Sequence, residues 1–319
     1  MVRAWMMWVL LFAGAAWGDS PMRVLHRTLQ MGDGGTVKVY RYVPVGGGRL
    51  RAPVLLVPDL GFRRDVFDLD GRGLAPWLTS RGFEVYVLEP GAGRGLVDFA
   101  SQDLPAALSV IREHRQEPVD LIAHGYAGTL ALAACSKELK GEVGRVVALS
   151  TPVLPEVPNK LAEAVLARGG RFTRLSLDPA GAASFDLLFA KHGRFAGRVL
   201  SDLRSTGVVD LGDAAAKELL GWMRSGDLSL GDGTTVKSRM AAFDRPTLLF
   251  LALRNNWAHP EFAAPLRELA AGAPVKLRSM SLMQYHAEDY THLSLLQGDG
   301  APDEVFEPIR DFLTGEVEL

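Results

Sequence analysis

Chemistry in a chain of 319 residues with seven histidines and one cysteine has to rest on a few positions. Cys135 sits among Leu130, Leu132, Ala133 and Ala134 and reads as a small core residue rather than a reactive thiol. A single cysteine also excludes an intramolecular disulfide and a cysteine-rich metal cluster. His259, His286 and His292 lack the His-Glu-x-x-His spacing that puts two imidazoles on one helix face, so neither a metal nor another cofactor is expected. His124-Gly125-Tyr126-Ala127-Gly128 lies where a strand-like run, Val119–Ala123, gives way to a helical one from Thr129. Such a sharp turn presents its central residue at the end of a strand. Glycine accepts the positive φ of that turn without a side-chain penalty. It carries no side-chain atom that could act as a nucleophile. Ser150, at the end of a later strand, has no glycine frame and reads as a cap for the segment after it, with a substitute nucleophile as the alternative.

The elements that must hold these positions alternate along the chain. Residues 22 to 44 read as strand around a Gly34-Gly35 turn, and the apolar run Pro53–Pro58 as a strand buried on both faces. A helix over Leu74–Arg81 ends at Gly82, and Phe83–Leu88 is the next strand. A helix from Asp103 to His114 carries Leu104, Leu108 and Ile111 on one side. Val119–Ala123, the turn and helix already named, and Val143–Leu149 follow. Residues 152 to 243 break the rhythm, being rich in Ala, Leu and Arg with helical periodicity. Pro246–Ala252 resumes the strands, and Val275–Ser281 with a helix over Asp303–Leu313 completes them. This alternation predicts an α/β fold: a parallel sheet of roughly eight strands, flanked by helices and interrupted by a helical cap insertion. The core then comprises residues 19–151 and 244–319.

Net charge is −2, from 35 basic and 37 acidic side chains with no run of one sign, so no nucleic-acid partner is expected. A hydrophobic share of 48% excludes intrinsic disorder. Met1-Val2-Arg3 followed by an apolar stretch to Ala16, with small residues at Ala16 and Gly18, reads as a signal peptide over residues 1–18. The stretch is too short to span a bilayer comfortably. Cleavage near Gly18/Asp19 would deliver the protein to the periplasm or the extracellular space, with no transmembrane segment in the mature chain.

Asp120–Leu132, with its turn at Gly125, resembles the nucleophile elbow of the α/β-hydrolases, and the resemblance covers nearly the whole mature chain. Leu55-Leu-Val-Pro-Asp-Leu-Gly61 resembles the loop that usually reads His-Gly and contributes to the oxyanion hole. Tyr86–Gly91 resembles the next strand and its Gly-rich exit. Leu248–Pro260 resembles the segment carrying the triad acid, and Asp289-Tyr-Thr-His-Leu293 the loop carrying the triad histidine in lipase-like members. The family elbow reads G-x-S-x-G. The resemblance puts Gly125 at the nucleophile position and Asn255, with Asn256 beside it, at the acid position. Only His292 matches its expected type, and it is either a leftover or a retained functional group. His124 reads as structural. Asp59 stands where the loop is usually Gly, and a carboxylate there opposes developing negative charge. Asp59, Leu60 and Tyr126 are expected to line the oxyanion and ligand pocket, with the amides of Leu60 and Tyr126 as oxyanion donors.

Two functional expectations follow. The first is an exported α/β-hydrolase-fold protein without serine-hydrolase activity, a degenerate-triad pseudoenzyme binding a small or lipid-like ligand, or a protein, in the inherited cleft. The second is a hydrolase of carboxylic esters or acyl groups that uses a non-standard nucleophile or a water activated by His292. If the oxyanion amides are aligned, restoring Ser at 125 and Asp at 255 should give weak esterase activity.

Overall fold

Branched apolar runs form the centre of the sheet, because a strand covered on both faces has no solvent side to make polar. The computed structural model describes residues 9–12, 22–32, 34–45, 51–91 and 93–316. Among them are strands β1 (Val9–Phe12), β2 (Met22–Gln30), β3 (Thr36–Pro44), β4 (Pro53–Val57), β5 (Glu84–Glu89), β6 (Val119–His124), β7 (Val143–Leu149), β8 (Thr247–Ala252) and β9 (Val275–Met280). They form one sheet in the order β1-β2-β3-β5-β4-β6-β7-β8-β9. The pairs β1–β2, β2–β3 and β3–β5 are antiparallel, and every pairing from β5 through β9 is parallel. β4, β6 and β8 are buried at every residue.

The outermost strand is the unexpected one. Val9–Phe12 falls inside the apolar stretch read as a leader, yet it adds to the edge of β2 with Val9 opposite His26 and Phe12 opposite Arg23. The rest of that leader, its expected cleavage point included, lies outside the described residues.

Helices Leu74–Ser80 and Leu104–Arg112 cross between strands, and Glu307–Thr314 closes the chain. The helix after β6 departs from expectation at its start. It begins at Gly125 rather than Thr129 and runs to Cys135, buried along its whole length. Between β7 and β8 six helices, among the described residues, run from Lys160 to Ala241. Several carry their own start signals. Asn159 accepts from the Ala162 amide, Asp178 from the Ala180 amide, and Thr235 with Ser238 forms a capping box. A single bridge, Phe62 to Val208, ties the loop after β4 to this cap. No helix among the described residues is long and apolar enough to cross a membrane.

Candidate functional site

Parallel strands deliver the loops at their carboxyl ends to one edge of the sheet, the edge where open α/β sheets place their chemistry. Here β4 delivers Asp59, β6 delivers Gly125, β8 delivers Asn255, and the loop beyond β9 delivers His292. All four are buried.

Gly125 has φ of +56°, the conformation an elbow imposes on its central residue. A Cβ placed there would clash with the Asp59 carboxylate, overlapping Cγ and Oδ2 and lying 2.5 Å from Oδ1. The carboxylate therefore occupies the room that a nucleophilic side chain at 125 would need. Its Oδ1 accepts from the Leu60 amide at 2.7 Å and from the Ala127 amide at 3.1 Å. Trp257 donates its indole Nε1–H to Oδ2 at 3.0 Å. Leu60 supplies one amide as expected. The second donor to this carboxylate is Ala127. Because Ala127 lies in the first turn of the elbow helix, Asp59 satisfies an amide that the helix itself leaves free. This cap explains why the helix can begin at Gly125. The carboxylate anticipated near the oxyanion loop is thus held by the Leu60 amide of that loop and by the Ala127 amide of the elbow helix.

Asn255 fixes the state of His292. The Asn255 Oδ1 accepts from the backbone amides of Trp257 at 3.1 Å and Ala258 at 2.9 Å, so the side-chain nitrogen is the atom 3.1 Å from His292 Nδ1. An amide nitrogen only donates, which makes Nδ1 the acceptor and puts the ring proton on Nε2. A triad aspartate would impose the opposite tautomer. Nε2 then lies 3.1 Å from Asp59 Oδ2 but is not aligned for a hydrogen bond, so the two are in contact rather than bonded.

Burial pushes the His292 imidazole down to about 3. His124 stacks on it with ring centroids 4.0 Å apart, and its Nε2 meets the His292 carbonyl at 3.1 Å. Burial and the neighbouring His292 hold His124 well below the ordinary histidine range. Asp59 is moved the other way, up to about 6, because burial outweighs the proximity of His124 and the hydrogen bonds from Ala127, Leu60 and Trp257. The arrangement at neutral pH is a carboxylate held by neutral donors beside two neutral imidazoles.

Aromatic side chains fill the space above this cluster. Phe189, on the cap helix Pro179–Phe189, lies with its ring centroid 5.3 Å from Trp257, 5.7 Å from His292 and 5.1 Å from Phe62. Phe172 packs against Trp257 at 5.4 Å, and a Cβ on Gly61 would come within 2.5 Å of its ring. What remains beside Asp59 and Leu60 is a cavity of about 40 Å³. That is room for one or two water molecules, not for a small-molecule ligand.

Tyr126, expected at a pocket floor, is fully buried and gives its hydroxyl to the Trp257 carbonyl at 3.2 Å. Asn256 points away from the cluster, donating to the Leu187 carbonyl at 2.8 Å. Ser150 is buried with φ of +49° and no partner for its hydroxyl. Cys135 is buried, and burial pushes its thiol up to about 12. The residue whose part sequence reasoning missed is Trp257. Its position two residues beyond Asn255 was the only signal.

The sheet order, the elbow and the inserted cap are those of the α/β-hydrolase fold. Solved structures carry the same architecture. An esterase from Exiguobacterium antarcticum superposes with a TM-score of 0.60 at 16% identity, covering 90% of this chain and 98% of its own. A membrane phospholipase A described as a bacterial virulence factor gives 0.59 at 14% identity, over 92% and 86%. A thermophilic esterase from Thermogutta terrifontis gives 0.56 at 15% identity, over 97% and 99%. No family model matches the chain. No curated protein sequence matches it either.

Proposed function

We propose that this chain is an exported α/β-hydrolase-fold protein without serine-hydrolase activity, whose inherited catalytic cluster now serves as a buried tie between four chain segments. The observation that carries this reading is the Asp59 carboxylate on the amides of Leu60 and Ala127. Acyl transfer needs a nucleophile, a base and amides free to receive an oxyanion. Gly125 supplies no nucleophile. His292 carries its proton on the wrong nitrogen, and burial holds its basicity down. The Leu60 amide, one of the two expected oxyanion donors, is already occupied by a charge of the sign it would have to stabilise.

With the cleft filled by Phe172 and Phe189, the role that fits is binding through the cap or the outer surface rather than the inherited cleft. The purified protein should take no label from a fluorophosphonate probe and release no nitrophenol from short esters. Ester turnover that disappears in the His292→Ala variant would overturn this reading. Export predicts that the protein recovered outside the cytoplasm begins at or near Asp19, read by N-terminal sequencing.

A further inference from the structure

The cap carries a cavity of about 470 Å³ between the helices Lys160–Ala167, Phe172–Leu177 and Pro179–Phe189. Three arginines, Arg168, Arg171 and Arg174, line it, with Val165 and Leu175 as apolar wall and Asp178 as the single acid. The guanidiniums of Arg168 and Arg174 meet no carboxylate among the described residues. Arg171 makes only a long, exposed contact of 3.4 Å to Asp213. Asp178 is committed to its own helix, accepting from the Ala180 amide at 3.0 Å.

Spacing explains the convergence. Arg171 caps the start of one helix and Arg174 lies three residues on, while Arg168 ends the preceding helix and reaches the same cavity across the left-handed turn at Gly169 and Gly170. Like charges gathered at one concavity repel one another unless an anion comes between them. Guanidinium groups are planar forks that bind tetrahedral oxyanions with paired hydrogen bonds, a geometry a lysine cluster would not supply. The cavity volume is that of a ligand site.

We infer that this cap cavity binds a phosphate group, either a soluble phosphate ester or the phosphate of a lipid headgroup. The site lies outside the inherited cleft and is independent of whether Asp59 has silenced that cleft. Its walls come from the cap insertion alone.

The test uses the full chain and the variant R168Q/R171Q/R174Q, all three exposed positions whose change leaves the core untouched. Inorganic phosphate and glycerol 3-phosphate are titrated calorimetrically. Flotation is measured with phosphatidylcholine vesicles with and without phosphatidic acid. Saturable binding of either probe that weakens by about tenfold or more in the triple variant, and persists in R267Q, a change at an exposed arginine on the helix Leu266–Leu269 outside the cap, supports the site. Competition of glycerol 3-phosphate with vesicles then shows a single site serving both sources. No saturable binding of either probe, or equal binding by the triple variant, overturns it.

Discussion

At the scale of single residues, the site turns on the mutual exclusion of two side chains. Asp59 has its place because position 125 has no Cβ. A Gly125→Ser change should therefore cost about 3 kcal/mol, combining overpacking with a strained φ. Asp59→Gly costs stability through its lost hydrogen bonds, but the two changes together should cost about 2 kcal/mol less than their sum. Urea unfolding of the four proteins measures this coupling, and additivity would mean that the carboxylate does not fill that space. The same geometry corrects the expectation for restoring catalysis. G125S/N255D should remain silent towards nitrophenyl esters, and G125S/N255D/D59G should gain weak turnover only once Phe189→Ala also reopens the filled cleft. Acid titration probes Asp59 separately. With its carboxyl raised to about 6, the native state keeps a proton that the unfolded chain has lost between roughly pH 4 and 6. Its contribution to stability is thus complete below that window and lost as pH rises through it. His124 and His292 act oppositely, since unfolding lets them take up protons below their ordinary value. The D59N variant keeps only the histidine effect. Between pH 7 and pH 4 it should lose about 2 kcal/mol more stability than the native protein.

At the scale of elements, the apolar runs that become β4, β6, β7 and β8 were legible because they are short and rich in branched apolar residues, which favours a strand buried on both faces over a helix. The elbow glycine was legible for the same local reason. Where its helix begins was not, since that depends on Asp59, sixty-eight residues from the amide it caps. Helical periodicity marked the cap, but it could not say which side chains would enter the cleft. Nothing in the sequence around Phe172 and Phe189 marks them as the aromatics that fill the cleft. Their placement depends on Gly61, which lets the Phe172 ring lie against the loop after β4. Phe172→Ala should lower stability by about 3–5 kcal/mol in urea unfolding. It also joins a new apolar void to the small cavity beside Leu60, so indole or benzene should raise the midpoint of thermal unfolding of the variant but not of the native protein.

For the molecule as a whole, four segments distant in sequence meet at one sheet edge, and strand order alone brings them there. That much the resemblance to α/β-hydrolases made legible. The new partnership among Asp59, Trp257 and Ala127 was not, because no local pattern records which amide a buried carboxylate will find. The periphery is simpler. Among the described residues the hydrophobic core starts at Met22, and β1 adds only four residues at the rim. A chain beginning at Asp19 should therefore unfold cooperatively, within about 1 kcal/mol of the full-length protein.

The exclusion between a carboxylate at 59 and any side chain at 125 also gives the site a history with a direction. A lineage that starts from an elbow serine can let the carboxylate settle on the amides only after that serine has gone. Once settled, the carboxylate makes the return of serine the costlier step. Selection for hydrolysis would then have to clear position 59 first, through an intermediate that is less stable and still inactive. The turn behaves as a one-way gate in sequence space.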